Sequence, residues 1–239
     1  LLPLLRLMQS TRASAKFVFV GKSVFEPILK RFGLVGVYCG LPNRGWRYFG
    51  AFRSAEHRRP DACILFTNSL RGDIEALVTG GRMRVGAAFG NRYRPLLSHS
   101  VRVPSDLTSP TVHQVRMWEW YVRELGVEGR PDFSPVIADQ AVGVDGPIGL
   151  IAGSENFPAK RWPVDRWREL ILSRPERRFV LFGTETDRAI TQRIAAGMGE
   201  GRVLDLAGRT NMDDYMRELV KCSLVISNDT GGMHLANAL

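Results

Sequence analysis

Residues 221–239, KCSLVISNDTGGMHLANAL, decide how the rest of the chain is read. Leu224, Val225 and Ile226 form the short apolar run of a buried strand, and Asn228, Asp229, Thr230, Gly231 and Gly232 break it with turn and capping residues. Met233 to Leu239 then has helix-forming composition. A strand that passes through a glycine turn into a helix leaves the first helical amides without intrahelical acceptors. The local dipole favours an anion there, and phosphate is the natural guest. Asp229, at the strand end, has the chemistry to accept two hydrogen bonds from sugar hydroxyls, and His234 falls in the first helical turn. Simple capping by Asp229 or Thr230 explains the same residues equally well. Both readings stand on this stretch alone.

Upstream, the pattern repeats. Ile148 to Ala152 is a short apolar strand running into Gly153, Ser154 and a loop that ends at Lys160, Arg161, Trp162 and Pro163. Pro163 suits a first helical turn, and Val164, Trp167, Leu170 and Ile171 give that helix one apolar face. Lys160 and Arg161 thus stand at a loop-to-helix junction, where adjacent cations can hold a diphosphate; a solvated charge pair beside a buried Trp162 is the plain alternative. Phe179 to Phe182 is the next strand. Glu185 follows it, placed to accept hydrogen bonds from ribose hydroxyls, with Thr186 or Asp187 as the cap of a helix through Ile190 and Ile194. Val203 to Leu206 makes a further strand leading to Thr210, and Asn211 with Asp214 forms a capping pair for a helix from Met212 to Val220. Parallel strands of an open sheet end at one edge, where ligands bind. Ser154, Lys160, Glu185, Thr210 and Asp229 are therefore expected to converge on one crevice. Cations, hydroxyl-accepting carboxylates and a glycine-lined helix start are what a sugar nucleotide requires.

The first half alternates in the same way. Leu1 to Gln9 reads as an apolar-faced helix, Lys16 to Val20 as a strand, and Val24 to about Arg31 as a helix. Leu34 to Cys39, Ala62 to Phe66, Arg84 to Ala88 and Ser98 to Val103 are further strands. Asn68 is placed to cap a helix running to Gly80, and Thr111 to Gly126 reads as a long helix with Val115, Trp118, Val122 and Leu125 on one face. A mostly parallel sheet covered on both faces is expected. Gly21-Lys22-Ser23 lacks the earlier glycine of a P-loop, because position 16 is Lys, and no GxGxxG fingerprint occurs. His57, His99 and His113 show no metal-ligand spacing.

The 239 residues suffice for two domains. The stretch from Glu128 to Pro147 is rich in Pro, Gly and Asp and predicts a linker, giving domains at 1–130 and 148–239 around a linker at 131–147. No segment approaches the roughly 20 consecutive apolar residues of a membrane span. Cys39, Cys63 and Cys222 form no CxxC pair, which suits a reducing cytoplasm. The chain opens at Leu1 in what reads as mid-helix and stops at Leu239 two turns into another, so a fragment cut at both ends is expected. Of the net charge of +9, residues 1–146 carry 20 Lys+Arg against 12 Asp+Glu (+8), and residues 147–239 carry 13 against 12 (+1). Such a lopsided field suits an acidic partner met by the first half: a phosphorylated glycolipid, an anionic membrane face or nucleic acid; an Arg-rich composition without meaning for a ligand is the plain alternative. Arg53, Arg58, Arg59, Arg71, Arg92 and Arg94, in or beside predicted loops, are the candidates to meet it.

AGSENFPAKRWP, LFGTETD, LAGRTNMDD and SNDTGGMHLANAL, in this order and spacing, resemble glycosyltransferase family 9, the ADP-heptose:lipopolysaccharide heptosyltransferases, and PAKRWP most resembles the heptosyltransferase II branch. Before them, PDACILFTNSLRGDIEALVTGG and MRVGAAFG resemble the family's amino domain more loosely. The resemblance implies an α/β fold with two Rossmann-like domains facing each other across a cleft (GT-B). The donor would lie in the second domain, the acceptor in the first, and the anomeric centre would be inverted. Carried over, Lys160 contacts the donor phosphate, Glu185 the nucleoside and Asp229 the heptose hydroxyls, while Thr230, Gly231 and Gly232 supply amides to the diphosphate beside His234. Gly153, Ser154, Arg161 and Thr210 complete the implied donor site. The family's general base, an Asp in a glycine-Asp motif, would precede Leu1, so donor binding without turnover is expected of these residues alone. Implied partners are ADP-heptose, an anionic lipopolysaccharide-core acceptor and the inner-membrane surface, met peripherally from the cytoplasm, with no cofactor, metal or nucleic acid. The alternatives are another sugar-nucleotide enzyme of the same architecture, an epimerase or a transferase with a different donor, and, more distantly, a basic nucleic-acid-binding protein.

Overall fold

Strand pairing is parallel in every sheet of the computed structural model, which describes residues 1–41, 45, 48–53, 59–90, 92–136, 145–154, 158–199 and 201–239. With helices between the strands, the class is α/β. Two compact units divide the chain, Leu1–Asp132 and Phe133–Leu239.

The first unit runs α1 (Leu2–Thr11), β1 (Val18–Gly21), α2 (Glu26–Arg31), β2 (Val37–Gly40), α3 (Tyr48–Ala51), β3 (Ala62–Leu65), α4 (Leu70–Val78), β4 (Met83–Ala88), β5 (His99–Arg102) and α5 (Gln114–Glu124). Instead of one sheet, the described strands form two, β1–β2 and β3–β4–β5. One apolar cluster spans both: Leu4 and Met8 of α1 pack with Val122 of α5, Phe17 before β1, and Ile64 of β3. The second strand starts at Val37, later than its apolar run, because the Val35 N–H donates to Gln9 Oε1 of α1 at 3.0 Å. Ser69, not Asn68, caps α4: its Oγ accepts from the Gly72 N–H at 3.1 Å. The fifth helix starts at Gln114 instead of Thr111, because Ser109 closes a local turn with Val112 and Thr111, and His113 Nδ1 then caps the Val115 N–H at 3.2 Å. At its other end Gly126 adopts φ +72°, the left-handed stop expected of it.

Arg94 departs furthest from its expected role. Its side chain is fully buried, with Nε 3.2 Å from both Asp73 carboxylate oxygens and Nη2 3.1 Å from the Thr67 carbonyl. A cation so placed ties the loops after β3 and β4 together and offers nothing to an acceptor. Arg71 pairs with Glu75 at 2.9 Å over the Tyr48 ring, and Arg92 donates to the Asn68 carbonyl. Arg58 lies outside the described residues.

The second unit runs β6 (Ile148–Ile151), α6 (Val164–Leu172), β7 (Phe179–Phe182), α7 (Arg188–Ala195), β8 (Val203–Asp205), α8 (Met212–Val220), β9 (Leu224–Ser227) and α9 (Gly231–Ala238). All four residues of β6 and of β7 are buried, as apolar runs covered on both faces must be. Ile148, Leu150, Phe179 and Leu181, on one face of the sheet, pack with Trp167 and Ile171 of α6 and Ile194 of α7 in one core, each large side chain contributing about 1.5–3 kcal/mol of burial. The strand order is β8–β7–β6–β9. From β6 the chain winds outward through β7 and β8, then returns to the other side of β6. This reversal opens a crevice between the carboxyl ends of β6 and β9. Among the described residues no helix is long and apolar enough to cross a membrane.

Candidate functional site

The reversal point is where the polar residues gather. Ile151 of β6 registers with Ser227 of β9, so the loops leaving the two strands start side by side. From the first loop, Lys160 closes a short 3-10 turn, Pro158–Lys160, and its Nζ reaches Asp229 Oδ2 at 2.5 Å. Both side chains remain about half exposed (46% and 59%), so the pair stands at the solvent edge of the crevice. The hydrogen bond and charge of Lys160 hold the Asp229 carboxyl below its usual range, with a smaller contribution from His234. Asp229 is therefore ionised at neutral pH and can act as an acceptor.

The simple capping explanation fails for this turn. Thr230 occupies the N-cap position of α9 in extended conformation, yet makes no side-chain cap bond, and its buried Oγ1 has no hydrogen-bond partner. Asp229 turns to Lys160. The Met233 N–H donates to the Thr230 carbonyl at 3.2 Å, and the amides of Gly231 and Gly232 are left for an outside acceptor. Gly231 faces open space, whereas a Cβ on Gly232 would lie 2.7 Å from the Tyr215 hydroxyl and 3.0 Å from Ile151 Cδ1. Only a glycine lets this turn sit down on β6. Burial pushes the Tyr215 phenol well up, so it stays protonated beneath the turn.

Gly153 and Ser154, both buried, lead out of β6. Any Cβ at Gly153 would fall 2.4 Å from Asp187 Oδ1, so glycine is required for the loops after β6 and β7 to approach. Arg161 folds back on its own loop, donating twice to the Ser154 carbonyl at 2.9 and 3.2 Å. After β7, Thr184 caps the 3-10 turn Glu185–Asp187, and Asp187, one of the two expected caps, occupies the N-cap position of α7 without a side-chain cap bond: its carboxylate instead accepts from Thr184 N at 2.9 Å and Oγ1 at 2.8 Å, and thereby shapes the loop that presents Glu185. Glu185 is exposed and pairs with Arg188 at 2.8 Å, resting against Gly208 (φ +66°) of the next loop. Thr210, half-buried, precedes the Asn211 cap of α8, whose Oδ1 accepts from the Asp214 N–H at 2.9 Å. Lys160 and Asp229 thus touch, while Glu185 and Thr210 lie at the ends of the neighbouring strands and His234 is exposed on α9. Among the described residues no group of three His, Cys, Asp or Glu could hold a metal ion.

Asn228 and Tyr215 are the residues whose place in the site sequence reasoning missed. The first was read only as a turn former, yet it is buried and bonds to both ends of the β6 loop.

The family described as glycosyltransferase family 9 (heptosyltransferase) matches residues 52–239. Lipooligosaccharide heptosyltransferase 2 of Haemophilus ducreyi is 36% identical over 97 residues, a match that covers 38% of this chain and 28% of that relative's length. Among solved structures, the E. coli ADP-heptose lps heptosyltransferase II superposes with a TM-score of 0.77 at 23% identity, covering 98% of this chain and 76% of that one. The E. coli heptosyltransferase WaaC, solved with ADP, gives 0.74 at 21% identity, covering 100% and 79%.

Proposed function

The chain belongs to glycosyltransferase family 9, and from that we propose that the protein transfers a heptose from ADP-heptose to the inner core of lipopolysaccharide, inverting the anomeric centre. The observation that carries the reading is the meeting of Lys160 and Asp229 at the β6/β9 reversal, beside the unpartnered start of α9. In the reaction an acceptor hydroxyl attacks the anomeric carbon while a general base takes its proton, a role the family resemblance gives to an Asp of the glycine-Asp motif; the new C–O bond forms as the bond to the diphosphate breaks, and ADP leaves with the electron pair. Negative charge grows on the departing phosphate. Lys160 and the amides of Gly231 and Gly232 stabilise that charge. Asp229, ionised, accepts from heptose hydroxyls and turns the sugar towards attack. Glu185 accepts from the ribose.

The acceptor is assigned to the first unit, whose excess of cations suits the phosphates and acidic sugars of a lipopolysaccharide core. Peripheral contact with the cytoplasmic face of the inner membrane follows from where such an acceptor is anchored.

The test is transfer from ADP-heptose to heptose-deficient core, with calorimetric binding of ADP in parallel. The unaltered full-length protein should transfer and bind; Lys160→Ala in it should weaken ADP binding and slow transfer about a hundredfold or more, as loss of one charge-stabilising donor does. Unchanged kinetics in that variant would remove Lys160 from the site, and absence of transfer by the whole unaltered protein would refute the donor and acceptor assignment.

A further inference from the structure

Asn228 is the first residue beyond β9, and its backbone N–H continues the ladder to the Ile151 carbonyl at 3.0 Å. Its side chain turns inward and is 7% exposed. There Nδ2 donates to the Ala152 carbonyl at 2.7 Å, and Oδ1 accepts from the Trp162 N–H at 3.2 Å. Those backbone groups are the two ends of one loop: Ala152 opens it at the end of β6, and Trp162 closes it just before α6. Lys160 lies two residues before the second attachment, and its partner Asp229 is the neighbour of Asn228 itself.

We infer that Asn228 is a positioning residue for donor binding, an amide clamp that fixes the Lys160 loop to the α9 turn so that ammonium and helix start address the same diphosphate. The chemistry selects the residue type. One head must donate to a carbonyl and accept from an N–H at the same time, which a primary amide does. A carboxylate is acceptor-only and would set an oxygen against the Ala152 carbonyl. A buried head with both functions satisfied is also rigid, and rigidity around a charged ligand-binding group is what an outer contact contributes. Arg161 joins the same two ends a second time, through its bonds to the Ser154 carbonyl. Trp162, packed edge-on against the core residue Trp167 with ring centroids 4.9 Å apart, anchors the clamped end to α6.

This inference rests on the reading of Lys160 as a phosphate ligand, and a double-mutant cycle separates the two. ADP dissociation constants are measured by calorimetry for the unaltered protein, Asn228→Ala, Lys160→Ala and the double variant, at a temperature where melting curves show all four folded. Asn228→Ala should weaken ADP binding about tenfold, the scale for losing an outer-shell contact. The double variant should bind no more weakly than Lys160→Ala alone, because Asn228 acts through Lys160. Additive losses would overturn the inference while leaving Lys160 in the site. So would a lowered melting temperature with unchanged ADP affinity, the result of a merely structural role. An unaltered protein that fails to bind ADP would overturn the reading of the site and this inference with it. Asn228→Ser, with a hydroxyl and a smaller cavity, carries the same cycle should the alanine variant not fold.

Discussion

Lys160 and Asp229 neutralise one another in the absence of ligand, and this makes the two residues distinguishable by experiment. An incoming diphosphate must compete with the Asp229 carboxylate for the ammonium. Asp229→Asn removes that competitor and a repulsive charge beside the phosphates, so ADP affinity should rise, by a few-fold only, because the pair is exposed and screened. Transfer should fall about tenfold or more, the loss expected when charged hydrogen bonds to a reacting sugar are removed. A role as helix cap predicts neither change, since Asn caps as well as Asp. Calorimetry with ADP and a transfer assay on the same variant decide the matter, and wild-type transfer would exclude Asp229 as a sugar ligand. At this scale sequence was a partial guide. Asp229 and Lys160 were legible because strand-end loops collect ligand groups, but their contact was not, and neither was the burial of Arg94 or Asn228. Those depend on partners far along the chain: Asp73 and Thr67 for the arginine, Ala152 and Trp162 for the amide.

Among the elements, α9 holds the sharpest contrast, because its two leading glycines have different surroundings. Gly231 meets nothing within 4 Å, while Gly232 is pressed against Tyr215 and Ile151. Gly231→Ala should therefore leave the melting temperature unchanged or slightly raised, a helical alanine being favoured over glycine by up to about 1 kcal/mol. Its methyl group would stand where the diphosphate approaches, so ADP binding should weaken. Gly232→Ala should instead destabilise the second unit, by about 1–3 kcal/mol, as overpacking does. Thermal melts and ADP titrations of both variants check this, and full ADP affinity in Gly231→Ala would place the ligand elsewhere. The helices and strands of this unit were readable to the residue in places: Phe179–Phe182 and Met212–Val220 emerge as expected. Apolar runs flanked by caps carry both period and boundary. In the first unit, side chains such as Ser109, Ser69 and Gln9 moved boundaries through local or tertiary hydrogen bonds that composition does not reveal.

For the molecule as a whole, the α/β class followed from alternating periodicities and the family from four motifs in order. The division of the first unit's strands into two sheets that share one apolar cluster did not, because strand pairing is a long-range choice. The uneven charge is equally a property of the whole chain, with the cations in the unit assigned to the acceptor and the near-neutral unit assigned to the donor. That division of labour is most directly tested by hydrogen exchange along the whole protein with and without ADP. The amides of Gly231 and Gly232 at the start of α9 lack intrahelical acceptors and should exchange fast in the free protein. With saturating ADP, exchange should slow at residues 228–235 and 160–162, and change little across Leu1–Asp132. Protection confined to Leu1–Asp132, or none at the start of α9, would contradict donor binding at the β6/β9 reversal.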